Sequence, residues 1–214
     1  MKAYFISGLG ADYRAFERLE LPLGYQVIHI PWQSLAPDET LQTYAQKLSL
    51  NIDAKDPFVL VGLSFGGMVA VEISKIKKPE KLILISSAAT NRAFPALFKV
   101  AAWLNLDKIL PGDSFKLIRR VSYWFFGAKD KGSKRLLDYF FSNTTPQFLN
   151  WAVSQIVHWK NTYRFPNTIH IHSKADKIFP ASKANADYLV SGGHLCVFTN
   201  SSEINSILQK ELKK

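Results

Sequence analysis

The chain is nearly without cysteine. Cys196 is the single one among 214 residues, so no internal disulfide can form, which fits a reducing compartment. Long apolar runs are also missing: nothing approaches the 18 or more consecutive apolar residues of a membrane-spanning helix. The opening MKAYFISGLG has one lysine and a short apolar stretch that ends in two glycines. It lacks the longer apolar region and small-residue cleavage site of a signal peptide. These absences lead to the expectation of a cytoplasmic protein. Low-complexity tracts, disordered tails and internal repeats are absent from the pattern as well. Acidic residues are few, 17 Asp and Glu against 27 Lys and Arg, a net charge of +10. The imbalance is local. Residues 91–165 hold 12 basic and 4 acidic side chains, and the rest of the chain holds 15 and 13. Such a segment is either a solvated surface or an electrostatic landing site for an anionic partner.

What is present is ordinary for a globular domain, with 47% hydrophobic and 21% charged residues. The length suits one sizeable domain, or a core with one insertion. Residues 2–7, 25–32, 57–63 and 81–87 read as strands. Between them, 13–19, 39–52 and 65–76 carry apolar residues at helical spacing. The strands at 57–63 and 81–87 are almost continuously apolar, as parallel strands covered on both faces are. Strand and helix alternate, which predicts a doubly wound, mostly parallel α/β sheet. The pattern then changes. Helices are expected near 94–110, 114–126, 131–142 and 146–161, with no convincing strand among them. Strand character returns at 167–173 and near 187–190, and helices are expected at about 180–187 and 201–213. The predicted organisation is a core of 1–90 and 166–214, split by an all-helical insertion at 91–165.

VGLSFGGMVA, residues 61–70, joins an apolar strand to a helix through a serine flanked by Gly62 and Gly66. At average glycine and serine usage, a chain this long would show the GxSxG pattern by chance roughly 0.07 times. The position adds to that evidence. A serine turned sharply between strand and helix sits on strained backbone with its hydroxyl exposed above the sheet, and flanking glycines remove the Cβ atoms that would clash there. The next amide, on Phe65, lies at a helix N-terminus, where N–H groups lack partners and favour negative charge. A serine hydroxyl is a weak nucleophile and needs a base, which needs an orienting acid. Asp176, in KADKIFP, and His194, in SGGHL, each follow a returning strand, on the carboxyl edge where open α/β sheets bind ligands. Asp187 is a rival acid, but it lies beside a strand and close to His194. After the strand at 81–87 the chain reads Ala88-Ala89-Thr90-Asn91 and offers no carboxylate.

The stretches ISGLGAD, GLSFGG, KADKIFP and SGGHL resemble segments of the α/β-hydrolases, over roughly 1–90 and 166–214. The resemblance implies a minimal α/β-hydrolase fold with Ser64 as nucleophile, Asp176 as acid and His194 as base. It also implies that the amides of Leu9 and Phe65 form the oxyanion hole, with no metal and no cofactor. The chain departs from the family in having Ser7-Gly8 where His-Gly is common, and Ser173 where Gly is common. Phe65 is further expected to wall the acyl pocket. His170 and His172 share one strand face, a weak metal pair better read as packing, as is His29. His158 is expected on a helix surface, and Cys196 as a small core hydrophobe.

Residues 91–165 carry 16 of the 28 aromatics, in FPALF, YWFF and DYFF among others. A lid over an active site needs an apolar underside, which would suit an acyl chain or hydrophobic ring, and its basic outside could meet an anionic or carrier-bound substrate. The leading expectation is a serine hydrolase of carboxylic esters or thioesters acting through an acyl-enzyme. The alternatives are a C–C bond hydrolase or lyase on a carboxylated substrate, and a non-catalytic ligand-binding protein. Nucleic-acid binding is not expected, because the aromatics fit helical core spacing better than exposed stacking platforms.

Overall fold

Six strands build one sheet: β1 (Lys2–Ile6), β2 (Gln26–Ile30), β3 (Phe58–Leu63), β4 (Lys81–Ile85), β5 (Thr168–Ser173) and β6 (Tyr188–Val190). The computed structural model describes residues 1–94 and 115–213. The strand order is β2-β1-β3-β4-β5-β6, and every neighbouring pair is parallel. The chain runs from β1 out to the edge at β2, then crosses back to place β3 on the other side of β1. Winding therefore reverses between β1 and β3, and the loops that leave these two strands open a crevice at the carboxyl edge.

Alternate residues of the central strands feed two cores. Tyr4, Ile6, Leu60, Leu82 and Leu84 join one cluster with Leu41, Tyr44, Leu48 and Met68. Phe5, Val59, Val61, Ile83 and Ile85 join the other with Phe16, Val197, Ile204 and Leu208. Period-two side chains sorted to opposite faces, with helices over both, explain why the strand sequences are apolar throughout. On the first face lie α1 (Leu41–Ser49) and α2 (Phe65–Ile76). α1 starts at a capping box in which the Thr40 hydroxyl accepts from the Thr43 N–H and the Thr43 hydroxyl accepts from the Thr40 N–H.

Between β4 and β5 the described chain forms α3 (Phe115–Phe126), α4 (Lys131–Ser142) and α5 (Pro146–His158). Asp130 and Thr145 cap the last two with side-chain oxygens. α5 is tied to the core at the start of α1: the Trp151 indole donates to Glu39 O (2.7 Å), and Gln155 Oε1 accepts from the Leu41 N–H (2.9 Å). The helix expected at 94–110 lies outside the described residues apart from Phe94, as does most of FPALF. After β5 come α6 (Ala181–Ala184), β6, α7 (Cys196–Thr199) and α8 (Ser201–Glu211).

Several elements are shorter than the sequence suggests. The helix expected at 13–19 is a single 3-10 turn, Tyr13–Phe16, which Asp12 opens by accepting the Arg14 N–H. That expected at 180–187 is α6, cut short by Asn185 in the left-handed region at φ 48°. α7 has four residues, and the sequence pattern does not indicate it.

Candidate active site

Ser64 leaves β3 with φ 51° and ψ −120°, a conformation that costs a non-glycine residue energy and persists only where its surroundings hold it. Three contacts do so. Ser64 N donates to Ile85 O (3.0 Å) at the end of β4, and Ser64 O accepts from the Gly67 N–H (2.9 Å) and the Ser87 hydroxyl (2.6 Å). The turn is tight enough that a Cβ on Gly62 would strike the backbone of Gly66 and Gly67, and one on Gly66 would strike the carbonyls of Ile6 and Ser7. The flanking glycines thus permit β3, α2 and the end of β1 to meet. Gly67 was missed in the sequence. A side chain there would collide with Ser87, a contact made by tertiary structure with no local signal.

Asp176 and His194 lie in the loops after β5 and β6. The Ala175 N–H donates to Gly192 O (3.1 Å) and the Lys174 N–H to Val190 O (2.9 Å), which binds the two loops together. His194 is held from the end of α3 as well: the Leu195 N–H donates to Phe126 O (3.0 Å), and Gly127 and Gly193 approach too closely for a Cβ on either. The Phe126 ring meets the His194 ring edge-on, with centroids 5.3 Å apart.

The structure brings the three sequence-predicted side chains into one hydrogen-bonded line. His194 Nε2 is 2.7 Å from Ser64 Oγ, and His194 Nδ1 is 2.7 Å from Asp176 Oδ2. His194 and Asp176 are 2% and 6% exposed, so bulk water does not compete for these bonds. Asp176 Oδ1 accepts from the amides of Ile178 (2.8 Å) and Phe179 (2.9 Å). Burial by itself would raise the Asp176 pKa. The adjacent His194 charge, its hydrogen bond and the Phe179 amide outweigh burial, and the carboxyl sits below its ordinary range. The rival Asp187 is engaged elsewhere: it accepts from the His170 N–H (2.8 Å) and pairs with Arg164 (2.9 Å).

His172, read from the sequence as packing, stands behind Asp176. Its Nε2 lies 2.7 Å from Phe179 O and 3.4 Å from Asp176 Oδ2, and its Nδ1 lies 3.3 Å from His170 Nε2. Burial pushes His170 down to about 3 and lowers His172 as well, so both are neutral imidazoles at ordinary pH. Among the described residues no group of three or more His, Cys, Asp and Glu converges as a metal site would need. His158 is exposed at the end of α5. Cys196 is fully buried, and burial raises its thiol to about 12.

Ser64 and His194 open into a cavity of about 370 Å³ that also touches Gly8 and Leu9. Its remaining wall is almost entirely apolar: Phe126, Phe140 and Phe141 contribute rings, and Leu149, Val153 and Ile156 line the α5 side. Phe65 does not wall this cavity. Its ring is fully buried, 5.7 Å from Trp32 and 5.8 Å from Trp151 by centroid, because α2 turns its first side chain into the core. YWFF also divides: Phe126 reaches the cavity, whereas Trp124 and Phe125 are exposed. No described helix is long and apolar enough to cross a membrane.

Comparison with known proteins shows the fold and the family. In fold the chain is similar to an esterase from Thermogutta terrifontis (TM-score 0.75, 16% identity, 99% of this chain and 89% of that one). It is similar to a hydrolase from Pseudomonas aeruginosa (TM-score 0.74, 15% identity, 100% and 90%). It is also similar to a meta-cleavage product hydrolase from Pseudomonas fluorescens (TM-score 0.70, 15% identity, 99% and 90%). At such identities the likeness is one of fold. No curated protein matches the chain by sequence. A family model described as "Alpha/beta hydrolase family" matches residues 3–205, nearly the whole length, and the chain belongs to that family.

Proposed function

We propose that the protein is a serine hydrolase that cleaves a carboxylic ester or thioester of an apolar acyl group. The observation that carries this reading is the unbroken line Ser64–His194–Asp176 at 2.7 Å and 2.7 Å, open to an apolar cavity. Ser64 Oγ attacks the acyl carbonyl while His194 Nε2 takes its proton. The tetrahedral oxyanion is stabilised by the Leu9 and Phe65 amides, each worth on the order of 3 kcal/mol. His194 then protonates the leaving group, and water activated by the same imidazole releases the acid. Asp176 fixes the Nδ1–H tautomer and supports the transient positive charge.

Residues 91–165 act in this reading as a cap over the core halves 1–90 and 166–214. The described part supplies the apolar side of the acyl cavity, while Lys129, Lys131 and Arg135 stay on the outside. C–C bond hydrolysis of a carboxylated compound fits less well, since none of the described cavity-lining residues is a Lys or Arg that would meet a carboxylate. The test is hydrolysis of p-nitrophenyl esters from acetate to long acyl chains by wild type and Ser64→Ala. Activity with an optimum at intermediate chain length, lost in the variant, is expected. Equal rates for the two proteins would overturn the reading.

A further inference from the structure

The loop after β1 opens with Ser7, and side chains that reach its carbonyls hold it. Gly8, Leu9, Gly10 and Ala11 form a turn in which the Ala11 N–H donates to Gly8 O (2.9 Å). Two side chains converge on its carbonyls. The Ser7 hydroxyl donates to Ala11 O (2.5 Å). The indole N–H of Trp32, just beyond the end of β2, lies between two acceptors, Gly8 O at 3.1 Å and Ala11 O at 3.0 Å. Trp32 is itself seated firmly. Its ring stacks on Tyr44 (6.0 Å, 29°), and the Tyr44 hydroxyl both accepts from the Gln33 N–H (2.8 Å) and donates to Gln33 O (2.9 Å).

We propose that Trp32 is the positioning residue of the oxyanion site. The peptide unit is planar. Gly8 C=O and Leu9 N–H belong to one trans peptide and point in opposite directions. An indole that holds Gly8 O on one side therefore aims the Leu9 N–H to the other. The same ring lies 5.7 Å from Phe65 at an interplanar angle of 25°, so it also packs on the residue that carries the second amide. One side chain thus couples the two peptide units, one in the loop after β1 and one at the start of α2, 56 positions apart in the sequence. The inference rests on the proposed roles of Leu9 and Phe65. Trp32 touches no reacting atom and acts through the loop. Holding donors in place before charge develops is what makes such a site effective, and small displacements are costly.

Trp32→Phe keeps a ring against Phe65 and Tyr44 but removes the N–H. Trp32→His restores a donor, because the imidazole overlays the five-membered half of indole and its Nε2 falls at the indole nitrogen. With p-nitrophenyl esters at pH 8, Trp32→Phe is expected to lower kcat by about 10- to 100-fold with KM within about two-fold, and Trp32→His to recover part of that loss. Affinity for a trifluoromethyl ketone, whose adduct carries an oxyanion, should fall in parallel with kcat/KM. Unchanged kcat in Trp32→Phe, or equal losses in both variants accompanied by equal losses of melting temperature, would reduce Trp32 to packing. Hydrogen exchange reads the loop with no reaction at all. Amides of residues 9–11 should exchange faster in Trp32→Phe than in wild type, and unchanged exchange overturns the proposal even if no ester is ever hydrolysed. Faster exchange in a chain without esterase activity would instead leave the loop assignment intact and count against the serine-hydrolase reading.

Discussion

Replacing Asp176 by asparagine isolates the acid's chemical role from its structural one. Asp176 Oδ1 accepts two backbone amides, Ile178 at 2.8 Å and Phe179 at 2.9 Å, and Oδ2 faces His194 Nδ1 at 2.7 Å. Asparagine keeps an oxygen for the two amides, so the 176–179 turn should survive. Its NH₂ group then faces His194 and must donate. The imidazole can meet that donor only by giving up the Nδ1 proton and carrying one on Nε2, which points it as a donor at Ser64 Oγ. In that tautomer the base cannot accept the serine proton. The expected loss in kcat/KM is about 10⁴-fold, or about 5 kcal/mol of transition-state stabilisation at 1.36 kcal/mol per tenfold. Asp176→Ala should lose as much activity and stability as well, since the buried Phe179 amide loses its acceptor at about 1–3 kcal/mol and the part-buried Ile178 amide loses the same one. Asp187→Asn should cost only a few-fold, because Asp187 serves Arg164 and the His170 amide. Ester hydrolysis and thermal melts of the three variants separate these outcomes. If Asp176→Asn kept more than a hundredth of wild-type kcat/KM, or if Asp187→Asn matched its loss, the assignment of the acid would be refuted.

Other consequences follow from packing and burial. Gly67→Ala drives a methyl group into Ser87, whose hydroxyl holds Ser64 O. It should destabilise by about 1–3 kcal/mol and depress kcat, measurable by urea denaturation and ester hydrolysis. Acid should weaken the fold through the buried histidines. His170 sits near 3 and His172 is also lowered, while both would take a proton near 6.5 when unfolded. Between pH 6.5 and 5 the unfolded state then binds a proton at His170 that the folded state refuses, so stability falls as pH falls, by up to about 1.4 kcal/mol per pH unit, and His172 acts in the same direction. Urea midpoints across that range should show the slope, and His170→Gln should reduce it; a flat profile in wild type would contradict the burial argument. Cys196, buried with its thiol raised to about 12, should resist Ellman's reagent in the native protein and react at once in denaturant. Rapid native labelling would place it nearer the surface than its packing allows.

The sequence made the site more legible than its supports. α2 begins at Phe65 and ends at Ile76 as its apolar spacing indicates, because the serine turn marks the start and Lys77-Lys78-Pro79 the end. Ser64, Asp176 and His194 could be read because each follows a segment that reads as a strand, and a parallel sheet delivers all such loops to one edge. The strand ends were less legible. Ser7, Ser86 and Ser87 continue the β-like composition, yet the chain leaves the ladder there to form the site loops, with Ser86 at φ 46°. α7 spans four residues, too few for a helical period to show, and its Cys196-Val197-Phe198 run looks as much like a strand. The supporting contacts were not visible at all. Trp32 reaches Gly8 across 24 positions and Ser87 reaches Ser64 O across 23. Nothing near either residue in the chain indicates its partner.

Fluorophosphonates trap an activated serine, so peptide mapping after treatment with one reads whether Ser64 Oγ forms the proposed covalent intermediate. One adduct is expected, on the peptide containing Ser64, formed by wild type, absent from Ser64→Ala and strongly slowed in Asp176→Asn. A folded wild-type protein with no adduct on that peptide, or the same adduct on Ser64→Ala, would contradict it.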